Sequence, residues 1–575
     1  MKHFIFLSLA AGLVFSAVAS GAPPYTPSQN TPKVVIETIM GDITIELFPT
    51  QAPATVNNFL QYVNSGYYDG LIIHRVIPNF MIQGGGYLPG GYLKSDGLRP
   101  PIINESYNGL KNLRATVAMA RTNDPNSATS QFFINVVNNS FLNYGDPNSD
   151  GFGYCVFGQV ISGMDIADQI VNLPILPPQY ANGLTDCPYS GNYYVYVYKQ
   201  QVRVCVSPSG NDSTGIGSPD APFKTIQKGI DIIATPGHVV PTPATYTGTG
   251  NIDLDFKGKK ITVRAIEPRD FYTATTTAIN CQGSSANKHR AFYFHTSEDA
   301  NSVVKGLTII NGYQTSGGAI WCNSNPTIKN CTFTNNTASS FGGGIYCYDS
   351  NAVISNCTFS KNTALSKGGA LCCDYYSGAT LGNSILWNNA APSGHEIALA
   401  GSSTPSSLKV LYNDIKGNRP DIYTETNCQL NWGPGNIDTD PCYVNYDGNN
   451  LNLQSTIWQW DDVNGWSEGK NNSFCIDAGN PGSGLGDEGI TSANVRINMG
   501  AAGGTVKASV PPDEWRLLSD IDNDGITNDI DFAWFAQYWH ANGSELPADL
   551  DRNGTVDISD LKLFSDDWMR MGNTR

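Results

Sequence analysis

Apolar and polar positions follow three different rhythms along the chain, and each change of rhythm marks a new unit. From Val34 the rhythm is two residues: Val34-Val35-Ile36-Glu37-Thr38, then Gly41-Asp42, then Ile43-Thr44-Ile45-Glu46-Leu47. Successive strand side chains point to opposite faces, so this pattern predicts a hairpin turning at Gly41-Asp42. Val56, Phe59, Leu60 and Val63 then recur at helical spacing and predict a helix over 52–65. Tyr193 to Gln201 reads as the strand that ends this unit. The composition changes at Val202-Arg203-Val204-Cys205-Val206, and from there to residue 505 short β-branched runs alternate with Asn, Gly, Thr and Ser.

The second unit repeats itself. Pro326-Thr327-Ile328-Lys329-Asn330-Cys331-Thr332-Phe333 returns as Ala352-Val353-Ile354-Ser355-Asn356-Cys357-Thr358-Phe359. Gly317-Gly318-Ala319-Ile320-Trp321-Cys322 returns as Gly342-Gly343-Gly344-Ile345-Tyr346-Cys347 and again as Gly368-Gly369-Ala370-Leu371-Cys372-Cys373, a period of 25 or 26 residues. Short strands at that period are a solenoid signature. Asparagine tolerates left-handed turns and can bond along a stack, and glycine fits tight corners. The region resembles the right-handed parallel β-helix family. Its cysteines recur in phase and read as a ladder of small apolar residues, with disulfides between neighbouring turns as the alternative. Pro222 to Ile233 reads as a short helix capping the first turn. Cys475 to Ala501 reads as the end of the solenoid, and 506–518, with Pro511-Pro512, as a linker.

A chain of 575 residues exceeds the roughly 250–300 residues at which single cores stop growing, so several domains are expected. Lys2 and His3, the apolar run Phe4 to Val18 and the small residues Ala17-Val18-Ala19 read as a secretory signal over 1–22. That predicts export to a periplasmic, cell-surface or extracellular location, with no membrane span in the mature chain. A net charge of −16 argues against nucleic-acid binding, which needs basic patches. The 13 cysteines form no CxxC zinc pattern.

The run Ile73-His74-Arg75-Val76-Ile77-Pro78-Asn79-Phe80-Met81-Ile82-Gln83-Gly84-Gly85-Gly86 places an arginine, two large apolar side chains and a glutamine close together. That set suits gripping a proline ring while donating a hydrogen bond to its imide nitrogen. Two further blocks follow in order, Val117-Ala118-Met119-Ala120-Arg121 with Ser127 to Asn135, and Gly153 to Val160. Together they resemble the cyclophilin family of peptidyl-prolyl isomerases over residues 33–175.

The resemblance implies a β-barrel over 33–200 that acts on proline-containing proteins or peptides without a cofactor. It implies Arg75 as the donor and Phe80, Met81, Phe133 and Leu142 as the proline pocket. Gln83 would orient Arg75 and bind substrate backbone, while Ala120 and Arg121 would lie along the groove. Phe141 stands where eukaryotic members carry tryptophan, and Tyr154 where they carry a pocket histidine. The first change implies weak cyclosporin binding. An inactive cyclophilin fold used for binding is the alternative.

Two 12-residue stretches near the C-terminus carry oxygen ligands at alternating positions. Asp520, Asp522, Asp524, Asn528 and Asp531 fall at positions 1, 3, 5, 9 and 12 of the first, with Gly525 at 6 and the carbonyl of Ile526 at 7. Asp549, Asp551, Asn553, Asp557 and Asp560 repeat this in the second, with Gly554 and the carbonyl of Thr555. This is calcium-loop spacing, and it predicts two Ca2+ ions. Helices are expected at Phe532 to Trp539 and Leu561 to Trp568. The pair, with Asp at position 12, resembles the dockerin type I family, which implies a cohesin-like partner. Asp529-Ile530 and Ile558-Ser559 at positions 10 and 11 depart from the usual Ser/Thr, which leaves the partner class open.

The fold class expected is therefore multidomain and mainly β: a cyclophilin-like barrel, a right-handed parallel β-helix over 203–505 and a small helical calcium-loop module over 519–575. The solenoid is read as a spacer or binding domain. Two other functions stay open. One is a carbohydrate-active or polysaccharide-binding protein, for which Asp349, Asp374, Tyr348, Tyr375 and Tyr376 are the candidates; the other is a non-catalytic surface scaffold.

Overall fold

The computed structural model describes residues 27–572 apart from 149, 191–192, 267–275, 463, 487 and 489–493. The expected signal segment, 1–22, lies outside the described residues. Strands β1 (Lys33–Thr38) and β2 (Gly41–Leu47) pair with Thr38 opposite Gly41, so the hairpin turns at Ile39-Met40, two residues earlier than the glycine signal suggested. The Thr38 hydroxyl closes this turn, donating to the Gly41 carbonyl at 2.8 Å and accepting from Met40 N at 3.1 Å. Helix α1 (Pro53–Asn64) buries Val56, Phe59 and Val63 as the spacing predicts.

The barrel continues with β3 (Arg75–Ile77), β4 (Met81–Gly84), β5 (Thr116–Met119), β6 (Phe132–Asn135), β7 (Val156–Ser162), helix α2 (Met164–Val171) and β8 (Val197–Val206). Strand order is β3-β4-β6-β5-β7-β2-β1-β8. Ile73 N donates to the Val195 carbonyl at 2.9 Å and closes the ring.

The boundary expected between 200 and 203 falls inside β8. One edge of β8 pairs antiparallel with β1, Val34 opposite Val202. The other edge pairs parallel with His238–Pro241, Arg203 opposite His238. The last strand of the barrel is thus the first rung of the solenoid. A lone barrel edge would leave backbone groups unpaired, and the solenoid satisfies them. Arg203 reinforces the junction by donating to Glu37 and Asp42, each at 2.8 Å.

From there three parallel ladders climb together, two of them seven-stranded. Register follows the repeat: Ile328 opposite Ile354, Phe333 opposite Phe359, and Cys322, Cys347 and Cys373 in one column. All thirteen cysteines are free thiols. Asn330, Asn335, Asn356, Asn383 and Asn388 take left-handed φ of 49–62° at the corners. Asn336, Asn362 and Asn389 form a buried ladder instead: each donates to the next, at 2.9 and 2.8 Å, and Asn389 ends on the Glu396 carboxylate. Helix α3 (Ile226–Ile232) covers the first turn and buries Ile226 and Ile230.

The rungs stop at Gln429–Trp432, and the rest of the expected solenoid folds back along it. Asn330 Nδ2 donates to the carbonyls of Ala501 and Gly503, and Asn356 Nδ2 to that of Asn498. Residues 506–518 are not a free linker: Trp515, Arg516 and Leu517 are buried. Trp515 shares one apolar cluster with Tyr412 and Ile476 of the solenoid side and Ile521, Phe535 and Phe564 of the C-terminal module. Proline composition signalled a linker, but these apolar side chains have a surface to bury against. Arg496, fully buried, bonds the Gly479 carbonyl at 2.7 and 2.8 Å and that of Asp520 at 2.6 Å, joining strap to module. The module's helices are α4 (Asp529–Gln537) and α5 (Ile558–Asp566), each starting about a turn earlier than expected because Asn528 and Asp557 act as caps. Among the described residues no helix is long and apolar enough to cross a membrane.

Candidate active site

Three adjacent barrel strands set one row of side chains. Arg75 on β3 lies opposite Gln83 on β4, and Gln83 lies opposite Phe133 on β6. Directly opposed residues share a face, so all three point outward. Their neighbours Val76, Ile82 and Ile134 point inward and belong to the barrel core. The alternation that fills the core therefore also assembles the groove.

Beside this row lies a separate apolar cluster. Met81, Phe133 and Leu142 are buried in it, with Phe80, Ala120 and Tyr154 packed against it. Phe141, 44 % exposed, faces Phe80 with ring centres 5.5 Å apart. Tyr154 stands edge-on to Phe133 at 5.8 Å. Arg121 reaches the groove only through Tyr154: its guanidinium lies 4.4 Å from that ring, bonds the Gly153 and Thr122 carbonyls and pairs with Asp150. Arg121 thus supports the wall instead of presenting a free charge.

Arg75 Nη1 donates to Gln83 Oε1 at 3.4 Å, and Gln83 Nε2 donates to Gln131 Oε1 at 3.0 Å. Arg75 Nε lies 3.5 Å from Asp186 Oδ2. His74, next in sequence, is buried with its ring 4.5 Å from that of Tyr87; desolvation chiefly, with the Arg75 charge, pushes its pKa down to about 4. A neutral imidazole adds no competing charge to the arginine.

Residues 33–181 match the family described as cyclophilin type peptidyl-prolyl cis-trans isomerase/CLD, and 270–432 match the right handed beta helix region. Peptidyl-prolyl cis-trans isomerase B of Escherichia coli (strain K12) is 55 % identical over 137 residues, 24 % of this chain and 82 % of that protein. The chain belongs to the cyclophilin-type peptidyl-prolyl cis-trans isomerases. Its isomerase domain is also 47 % identical over 162 residues to isomerase A of Dickeya dadantii (strain 3937), covering 28 % of this chain and 82 % of that protein. Isomerase cyp18 of Streptomyces antibioticus is 56 % identical over 137 residues, 24 % and 81 % of the two chains.

Some of what holds this cyclophilin groove is missed by motif reading. Asn139 Nδ2 donates to the Phe80 carbonyl at 2.9 Å and to Asn135 Oδ1 at 2.7 Å, fixing the turn that presents Phe80. Gln131 and Asn135 lie inside a quoted block but carry no side-chain signal of their own. Asp186 lies beyond the matched stretch, and nothing local in the sequence points it at Arg75.

At the other end of the cyclophilin chain the acidic loops gather in two groups. Carboxylate oxygens of Asp520, Asp522 and Asp524 lie within 4.8 Å of one another, as do those of Asp549, Asp551 and Asp560. Asp531 accepts from Asp522 N and Asn528 N, as Asp560 does from Asp551 N and Asp557 N, and Asn528 and Asp557 cap their helices. In the second loop Asn553 bonds Asp551. Asp520 Oδ1 is buried with no hydrogen-bond partner among the described residues, while Oδ2 accepts from Gly525 N at 3.1 Å and lies 3.6 Å from Arg516 Nη1. Burial, with neighbouring carboxylates, pushes Asp522 up to about 6 and Asp531 up to about 7. A partnerless buried carboxylate oxygen among crowded acids fits a hard cation.

Proposed function

We propose that the isomerase works through Arg75, and that the chain is an exported folding catalyst carried on a β-helix spacer and held by a calcium-dependent C-terminal module. The observation that carries the catalytic part is the row Arg75–Gln83–Phe133 beside the Met81–Leu142 cluster. Rotation about an X–Pro bond faces a barrier of about 18–20 kcal/mol, set by amide resonance. No acid, base or nucleophile is needed. A donor at the imide nitrogen localises its lone pair and weakens the partial double bond. Phe80, Met81, Phe133 and Leu142 hold the ring while the acyl side turns, and Ala120, Phe141 and Tyr154 bound the groove. Gln83 keeps Arg75 in place and offers an amide to the substrate backbone.

Arg75→Ala should lower kcat/KM for a proline-containing peptide by about 10²–10³, the size of a lost transition-state donor. Unchanged activity in the folded variant would sink the assignment.

In the C-terminal module Asp520, Asp522, Asp524, Asp549, Asp551 and Asp560 would hold calcium, with the carbonyls of Ile526 and Thr555. Bound calcium would neutralise the crowded acids and stiffen the loops. A docking role is supported by Ile530 and Ile558, 51 % and 70 % exposed at the helix starts, where a cohesin-like partner would sit. Export rests on the apolar run Phe4 to Val18.

A further inference from the structure

We propose that Asp186 is a positioning residue for Arg75, carried on the stretch between α2 and β8 that runs past the edge of β3. The inference rests on the reading of Arg75 as the donor. The matched stretch ends at 181, five residues before Asp186. The segment then turns back over the open side of β3.

Its path is fixed from both sides. The Asp186 carbonyl accepts from Val76 N at 2.9 Å, pinning the backbone alongside the strand that carries Arg75. Cys187, next in line, is fully buried with Ile72 and Ala181, and its carbonyl accepts from Leu176 N at 2.9 Å. With the backbone held at both residues, the Asp186 carboxylate meets Arg75 Nε at 3.5 Å.

That contact completes a restraint. Gln83 engages Nη1 and Asp186 engages Nε, while Nη2 has no hydrogen-bond partner among the described residues. The guanidinium is planar and rigid, so a long hydrogen bond at Nη1 and an ion pair at Nε together bias its plane and its rotation. One tether alone would let the group swing about that contact. Arg75 and Asp186 side chains are 42 % and 39 % exposed, so the pair stays open to solvent and ions and its strength depends on salt. Asp186 touches Arg75, not the reacting bond, and so acts by orientation.

The test is prolyl isomerisation of a proline-containing tetrapeptide by the full chain. Asp186→Ala should lower kcat/KM by about three- to tenfold, mostly in kcat, as expected for one lost orienting contact. Asp186→Glu should recover at least half of that loss, and 1 M salt should slow the native chain more than Asp186→Ala. In an Arg75→Ala background the Asp186 substitution should change nothing. The substitution spares the backbone bond to Val76 and the burial of Cys187, so folding should survive. Native or higher activity in Asp186→Ala overturns the proposal while leaving the donor reading intact. An equal loss in the Arg75→Ala background overturns it too, because Asp186 would then act through the loop. Full activity in Arg75→Ala alone removes the donor reading beneath it.

Discussion

Asn362 is the keystone of the solenoid's internal ladder, and its removal has a size that follows from four bonds. Its amide donates to the Phe333 carbonyl at 2.9 Å and to Asn389 Oδ1 at 2.8 Å, and accepts from Asn336 N at 3.1 Å and Asn336 Nδ2 at 2.9 Å. Asn362 and Asn336 are fully buried and Asn389 nearly so. Asn362→Ala removes all four bonds and leaves the buried Asn336 N–H without its partner, while Asn389 Oδ1 keeps the backbone N–H of residue 362 at 2.9 Å and Asn336 Nδ2 keeps the Ile309 carbonyl at 3.0 Å. Each bond contributes about 1 kcal/mol net, and a stranded buried group costs about 1–3 kcal/mol. Four lost bonds at about 1 kcal/mol each, partly replaced by a water in the vacated space, with the stranded N–H added, give an expected loss of about 3–5 kcal/mol.

The chain has several units, so one global transition would blur this effect. Amide hydrogen exchange resolves it locally, because protection reports the free energy of opening region by region. Peptides covering 327–390 should lose protection by on the order of 10²–10⁴, while those of the barrel strands β4 and β6 stay near native. Asn351, exposed at the corner between the strands Ile345–Tyr348 and Val353–Ser355, makes a control: Asn351→Ala should change protection by less than about threefold. Less than a tenfold change in Asn362→Ala would refute the reasoning and show that packing, not the amide ladder, holds the rungs in register.

Two other predictions concern protons and metal. His74 has its folded pKa depressed to about 4, so between pH 4 and 6.5 the unfolded chain binds a proton that the folded chain does not. Its contribution is complete above pH 6.5 and is lost as pH falls through 4, about 2 kcal/mol of it between pH 7 and 5. The difference in denaturation free energy between the native chain and His74→Gln should therefore shrink on acidification, and a constant difference would exclude this role. Calorimetry on the full chain should count two calcium ions, and Asp551→Ala should bind one; a count of zero in the native chain would remove the calcium reading.

The sequence by itself determined whatever is encoded between near neighbours. The alternation of Val34 to Leu47 and the helical spacing of Val56, Phe59 and Val63 are read directly from the chain, because strand and helix periods are local. The 25- or 26-residue period fixes which side chains stack, since each rung repeats the turn chemistry of the last. The oxygen spacing of the two acidic loops is likewise local. Only the tertiary structure decided which surfaces those units leave open and what covers them. β8 serves barrel and solenoid together because its second edge remained unpaired. Trp515 leaves a proline-rich stretch to enter a core that exists only once the strap has folded back. Asp186 reaches Arg75 because a backbone bond to Val76 closes a long loop over the edge of β3. Closing such loops depends on the free edges and apolar surfaces of distant elements, and no short window of sequence carries that information.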